Sequence, residues 1–566
     1  MMRVFAAVTA IVCILALSAC SDQRAGMVST ANPHASEAAA QILRDGGSAV
    51  DAAIAAQMVL TLVEPQSSGI GGGLFLMHWD AAKADMSAWD GREMSPGAAG
   101  PDLFLKDDGE PMKWTDASIG GRAVGVPGAV AALWAAHQAF GKLEWKALFA
   151  PAIKLAEDGF AISPRMHSSL AAAPALARDS EARALYFDTV DGQVQPQPAG
   201  HVLRNPALAA TLKRIAEGGR DGFYAGETAQ QIVIAVRSHA GNPGLMDERD
   251  LKAYLAKRRE PVCNPYRTYR VCGMPPPTSG GLTTLMILGM LENYHIAEMR
   301  PDGPQALHLL TQASRLAYAD RGLYMADNDF VDVPVAGLLD KEYLQSRARL
   351  IHPFKDTGSA APGMPTGAKA GDKAADAGLV EYGTSHLAIV DGDGNAVSMT
   401  TSVEQRFGAH IMAGGFILNN QLTDFSFRPQ KDGKPVANRV AAGKRPRSSM
   451  SPTLVLNGNG SFYAAIGSPG GSRIITFVTQ SLIGLLDWNM TMQEAIDMPR
   501  ALNRNWMTEL ERDRGLEATA ASLERMGHEV KVQKLNSGLH GIRRVGGTLE
   551  GGADKRREGV VIQVGG

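Results

Sequence analysis

Net charge of either sign is missing from this sequence. Its 566 residues carry 56 Lys and Arg against 58 Asp and Glu, a formal charge of −2. A chain so balanced has no general attraction to nucleic acid or to an anionic lipid surface. Metal-binding spacings are missing too: neither CxxC nor HExxH occurs, so no metal site is expected. No segment repeats at a fixed period, and cysteine is scarce, with four in the chain. What is present is ordinary globular composition, 45% hydrophobic and 20% charged. A chain this long can bury a large core and exceeds the usual size of one compact domain.

The first twenty residues stand apart. Arg3 gives a positive start, and Phe5 to Leu17 form an apolar run too short to span a bilayer as a stable helix. Leu17-Ser18-Ala19-Cys20 follows and resembles a bacterial lipobox. Residues 1–19 are therefore expected to be an export signal, with Cys20 lipidated as the mature N-terminus. Ser21 after it points to the outer membrane, which gives an expected periplasmic, lipid-anchored location. Cys13 and Cys20 fall in this segment. Cys263 and Cys272 flank a turn between two strands, where an oxidising compartment allows a hairpin disulfide and burial allows two free thiols.

Glu37 to Leu43 reads as helix and stops at Gly46-Gly47, a typical exit. Ser48 with Asp51 offers a capping-box start for a second helix, which Pro65 closes. The run Ser67-Ser68-Gly69-Ile70-Gly71-Gly72-Gly73 leads into apolar residues, so a buried strand with close backbone packing is expected there. From about 120 to 350 the chain is rich in helix, with Ala129 to Phe140, Trp145 to Asp158 and Pro304 to Tyr324 as examples. Lys355 to Asp376 has almost no large apolar residue, and on composition it reads as a mobile tether. Right after it, His386 to Val390 and Ala396 to Thr400 read as two strands joined by Asp391-Gly392-Asp393-Gly394-Asn395, a hairpin signal. That turn is not a calcium loop, because Ala396 and Ser402 stand where the loop needs glycine and glutamate.

A tether that ends abruptly at Thr384 is the layout of a precursor cut at the Gly383–Thr384 bond. A threonine hydroxyl inside a chain is a weak nucleophile. Cutting just before it frees an α-amino group, with an unperturbed pKa near ~8, beside the hydroxyl. One residue then supplies both nucleophile and base.

Ordered segments carry a family resemblance. They include Thr384-Ser385-His386, Asp393 to Ser398, Phe416 to Ser426, Lys444 to Thr453 and Gly467 to Arg473. Upstream are Glu64 to Gly73, Asp90 to Pro96, Gly125 to Gly128 and Met274 to Gly281. From about residue 27 to the C-terminus the chain resembles the γ-glutamyltranspeptidase family of N-terminal-nucleophile hydrolases. The resemblance implies an α+β fold, a four-layer αββα sandwich. It implies a large fragment 20–383 and a small one 384–566 forming one intertwined domain, and γ-glutamyl acyl transfer without a cofactor. Thr384 takes the γ-glutamyl group from glutathione or a similar donor, and water or an amine accepts it.

The resemblance also implies a site map. Arg92, Ser448 and Ser449 match the binders of the substrate α-carboxylate, which wants a guanidinium fork and hydroxyls. Gln421 and Asp424 match the binders of the α-ammonium. Gly470 and Gly471 match the oxyanion hole, and Ser402 stands where the family has a threonine near the nucleophile. Taken alone, Arg92 would read as a surface ion pair with Glu93, and Ser448-Ser449 as a plain loop. Two departures stand out. Glu404 occupies an amine-binding position that is usually asparagine. The segment Arg428 to Val436 is short and lacks a tyrosine, so a pocket without a tyrosine lid is expected. Two rivals follow: a glutaryl or cephalosporin acylase of the same fold, and an uncleaved lipid-anchored binding protein. Retained Gln421 and Asp424, with Glu404 added, argue for a substrate that carries an amine.

Overall fold

A computed structural model describes residues 26–369, 371–376 and 383–565. The expected export signal with Cys20 lies outside the described residues, as does 377–382 just ahead of the expected cleavage bond.

The strand Gly383–Val390 is apolar on both faces. Leu387 and Ile389 join one hydrophobic core, while Ala388 and Val390 join a second. Strand Gly73–Asp80 divides likewise, with Leu74 and Leu76 on one side and Phe75 and Met77 on the other. Strands with two buried faces must lie inside a stack of layers. The first sheet has seven strands in the order 560–564, 26–30, 383–390, 396–404, 73–80, 85–91 and 257–259. The second has six, ordered 548–553, 540–545, 462–467, 453–456, 269–273 and 262–266. The sheets face each other through 383–390 and 396–404 on one side and 462–467 and 540–545 on the other.

Helices cover both outer faces. Ala49–Val63 and Ala129–Phe140 lie on the first sheet; Gly280–Leu291 and Ile474–Leu486 lie on the second. The result is the four-layer αββα sandwich. Ser48 and Asp51 form the expected capping box. Among the described residues no helix is long and apolar enough to cross a membrane.

Three segments refine the sequence reading. Trp145 to Asp158 is a 3-10 helix, Trp145–Phe149, followed by an α-helix, Ala150–Asp158, with Pro151 in its first turn. Proline has no N–H to continue a preceding helix, so the element restarts there. Cys263 and Cys272 oppose each other in the hairpin Val262–Tyr266/Tyr269–Gly273 and are disulfide-bonded. Lys355 to Asp376 forms no helix or strand in its described residues, yet its backbone is tied down. Asp356 N–H donates to Met526 O (2.7 Å), Ala374 N–H to Pro435 O (3.0 Å) and Asp376 N–H to Gly322 O (3.0 Å). The composition argument weighed side-chain burial alone, and here main-chain bonds do the holding.

Candidate active site

Thr384 is the second residue of its strand and is 2% exposed. The ladder with the neighbouring strand slips at this point. Gly383 pairs with Glu404 and Ser385 with Thr401, so Ser402 and Val403 oppose Thr384 alone. This is a bulge, a device that re-aims a side chain next to a site. Its cost shows at Glu404, a non-glycine residue with φ of +79°. The bulge brings Ser402 Oγ to 3.2 Å from Thr384 Oγ1. Both hydroxyls donate to the Gly383 carbonyl, from 2.6 Å for Thr384 and 2.5 Å for Ser402. The nucleophile candidate thus touches the carbonyl of the bond expected to break, and Ser402 polarises that carbonyl.

No imidazole or carboxylate among the described residues hydrogen-bonds the Thr384 hydroxyl. His386, two residues on, bonds Thr400 Oγ1 at 2.8 Å instead. Burial holds its pKa well below the usual value, with the nearby His540 adding to the effect. It is neutral and turned away, so among the described residues no side-chain base reaches Thr384.

A second group gathers around Arg92, the first residue after strand Asp85–Gly91. Its side chain has no solvent exposure. The guanidinium pairs with Asp424 and donates to the carbonyls of Pro446 (Nε, 3.1 Å) and Arg447 (Nη2, 3.1 Å). Gln421 Nε2 donates to the same Asp424 oxygen at 2.9 Å. Arg321 donates to Ser449 Oγ at 2.8 Å, and Ser448 Oγ accepts from Met450 N–H at 3.1 Å. Asn420 Oδ1 accepts from Gln405 N–H at 3.0 Å, which joins the Glu404 bend to the Gln421–Asp424 turn. Arg92, Glu404, Gln421, Asp424, Ser448 and Ser449 therefore share one buried neighbourhood. Glu93 is not a surface partner of Arg92: it has no exposure, and burial pushes its carboxyl up to about 8 despite Arg92. With Glu93 protonated at neutral pH, Arg92 and Asp424 balance each other.

The second sheet delivers Gly470 and Gly471, just past strand Phe462–Gly467. Their φ angles are +133° and +62°. Such values favour glycine. A Cβ on Gly467 would lie 2.3 Å from the His386 ring, which shows how closely this strand end approaches that of Thr384. A sequence model of gamma-glutamyltranspeptidases matches residues 35–564. The chain belongs to the gamma-glutamyltranspeptidase family. The Glutathione hydrolase proenzyme of Bacillus subtilis (strain 168) is 35% identical over 555 residues, covering 95% of this chain and 91% of the relative. The Acylase ACY 1 proenzyme of Pseudomonas sp. (strain SE83) is also 35% identical, covering 96% and 94%. Among solved structures, the cephalosporin acylase of Bacillus halodurans aligns with a TM-score of 0.81 at 28% identity, covering 95% of this chain and 96% of that one. This γ-glutamyltranspeptidase-family chain is an enzyme of the γ-glutamyl transfer type.

Some residues of the site escaped the sequence reading. Arg557 donates from Nη1 to Thr384 O at 2.9 Å and from Nε to Ser537 O at 3.0 Å, fixing the backbone of the Thr384 strand. It sits in the run Lys555-Arg556-Arg557, which reads as a solvated charge cluster. Arg321 also donates to Ser279 Oγ at 2.8 Å, so one cation holds both serine loops. It is a buried arginine late in a long helix, where its periodic position was the available signal. Gly72 was legible: a Cβ there would lie 2.0 Å from Ser402 O.

Proposed function

We propose that this enzyme cuts itself at Gly383–Thr384 and then transfers γ-glutamyl groups through Thr384. In the uncut chain Thr384 Oγ1 attacks the Gly383 carbonyl carbon. The oxyanion forms on the oxygen that Ser402 already holds. The C–N bond breaks as the amide nitrogen takes up the proton lost from Oγ1, and an ester links Gly383 to Oγ1. Water hydrolyses that ester and frees the hydroxyl beside a new α-amino group. The observation that carries this reading is the pair of hydroxyls, of Thr384 and Ser402, lying against the carbonyl ahead of Thr384.

In the mature enzyme the α-amino group takes the hydroxyl proton as Oγ1 attacks the γ-carbonyl of the donor. Arg92, Ser448 and Ser449 hold the α-carboxylate; Asp424, Gln421 and Glu404 hold the α-ammonium. Opposite charges a few ångströms apart suit a zwitterion, which replaces the internal Arg92–Asp424 pairing with contacts of its own. The N–H groups of Gly470 and Gly471 stabilise the oxyanion. The amine departs, and water or another amine resolves the acyl-threonine. Glutathione or a similar γ-glutamyl compound is the donor. The test is Thr384→Ala: one unbroken chain without turnover is expected, and a normally processed, active variant would sink the assignment.

A second reading rests on the acylase relatives and on the aligned cephalosporin acylase. A glutaryl side chain lacks the α-ammonium that Asp424, Gln421 and Glu404 suit. Turnover of γ-glutamyl anilide above glutaryl anilide is expected, and the reverse order would favour the acylase. We further propose export to the periplasm with a lipid on Cys20; a Cys20→Ala protein that stays in the membrane fraction would refute the anchor.

A further inference from the structure

Two cavities flank Ala375 and Asp376. One, of about 530 Å³, opens beside Phe425 and Phe427, next to Asp424. The other, of about 520 Å³, is bordered by Tyr318, Ser472, Arg504 and Trp506. Ala375, Asp376 and Lys431 line both, so this short stretch is the partition between them. The second cavity begins where the oxyanion loop ends. Ser472 follows Gly471, its carbonyl accepts from the Tyr318 hydroxyl, and its Oγ accepts from Arg504 Nη1 at 2.7 Å. Ser472 thus joins the lining of this cavity to the turn that carries Gly470 and Gly471.

The cavity has a chemical character of its own. Arg473 and Arg504 share one carboxylate, Glu509, at 2.8 and 2.6 Å, which leaves one positive charge uncompensated within the trio. Trp506 stands on the rim with 69% exposure. Its backbone is nevertheless fixed from both sides: Asn503 Oδ1 accepts from its N–H at 3.1 Å, and Asn503 Nδ2 donates to its carbonyl at 3.0 Å. The same turn is tied to a second segment, with Asn505 accepting from Ala360 N–H at 2.7 Å and donating to Ala360 O at 2.9 Å. An indole presented on a pinned backbone beside an arginine, at the mouth of a cavity, is a stacking surface with an anion anchor.

We propose that this cavity is the subsite for the leaving and accepting amine, and that Trp506 selects amines carrying an aromatic side chain and a carboxylate. The assignment rests on the γ-glutamyl reading and adds the acceptor class to it. In the transfer step the amine nitrogen forms a bond to the acyl carbon and the acyl–Oγ1 bond of Thr384 breaks. The amine proton passes through the Thr384 α-amino group to Oγ1. The carboxylate rests on Arg504 and the ring lies against Trp506.

Competition between two acceptors for one acyl-enzyme tests this, because the product ratio is independent of how the acyl group was loaded. Processed enzyme is given γ-glutamyl anilide with equimolar phenylalanine and glycine, and both γ-glutamyl products are quantified, together with free glutamate. The wild type should favour phenylalanine. Trp506→Ala should lower the phenylalanine-to-glycine ratio about tenfold, while Trp506→Phe should keep it within about threefold, as stacking surfaces of similar kind do. An unchanged ratio in Trp506→Ala overturns the proposal. A wild type that releases glutamate but forms neither product overturns it too and leaves the γ-glutamyl reading standing. A wild type that releases no glutamate sinks that reading instead.

Discussion

Replacing Arg92 by leucine leaves the Asp424 carboxylate facing a pocket from which its guanidinium partner has gone. The two side chains are 0% and 5% exposed, so water does little to screen the loss. A pair of unit charges about 4 Å apart is worth roughly 4 kcal/mol at an effective dielectric near 20. Gln421 still donates to Asp424, which softens the loss but does not neutralise the charge. Each single variant, Arg92→Leu or Asp424→Leu, should therefore lose about 3–5 kcal/mol of stability, the usual cost of orphaning one member of a buried pair. The double variant removes both charges and should lose clearly less than the sum, with a coupling of about 2–3 kcal/mol. Urea unfolding of all four proteins in a Thr384→Ala background measures this on a single uncut chain. In processed enzyme, Arg92→Leu should weaken donor binding by about 2–5 kcal/mol, roughly 30- to 5,000-fold in KM where KM reports binding. Stability losses that add to within about 0.5 kcal/mol would refute the buried pair. An unchanged KM would remove Arg92 from the substrate site.

Two further tests follow from the same geometry. Ser402→Ala takes away a donor to the Gly383 oxygen, and self-cleavage, followed as loss of the full-length band, should slow by about 10²–10³-fold; processing at the normal rate would show that Ser402 does not hold that oxyanion. Glu93 has a folded-state pKa raised from 4.5 to about 8, so its contribution is fully present below pH 4.5 and is lost as pH rises toward 8. Over that window the wild type should lose on the order of 5 kcal/mol relative to Glu93→Gln, which cannot ionise; parallel stability curves against pH for the two proteins would mean that Glu93 is ionised in the fold.

Local features were legible where local physics decides them. Helices 129–140 and 304–324 end where their residues change character, and the Ser48–Asp51 cap follows from a tetrapeptide. Thr384 was singled out through its ordered neighbours and the chemistry of a freed amine; the bulge around it was not readable from them. The pairing of Cys263 with Cys272 stayed open, because a bond needs two strands in register and not just two thiols. Sheet order was out of reach for the same reason: strand 26–30 pairs with 383–390 and 560–564, far away in sequence. The surface ion pair that Arg92 and Glu93 suggest when taken alone is instead buried, since charge type says nothing about how many layers cover a residue. Arg321 and Arg557 were missed because each acts on backbone or hydroxyl groups brought near only by the fold.

The seven-stranded sheet interleaves chain from both sides of residue 383. Strand 26–30 is clasped between 560–564 and 383–390, and strand 73–80 lies against 396–404. After the proposed cut, neither fragment owns the whole of either large sheet. Assembly must be finished while the polypeptide is still one piece, and the scission then discards the covalent route by which it was reached. A processed molecule that melts has two partners to find where it once had a loop to close. Its durability is consequently a matter of how slowly it opens, and heat should inactivate it for good at temperatures from which the unbroken Thr384→Ala chain still returns.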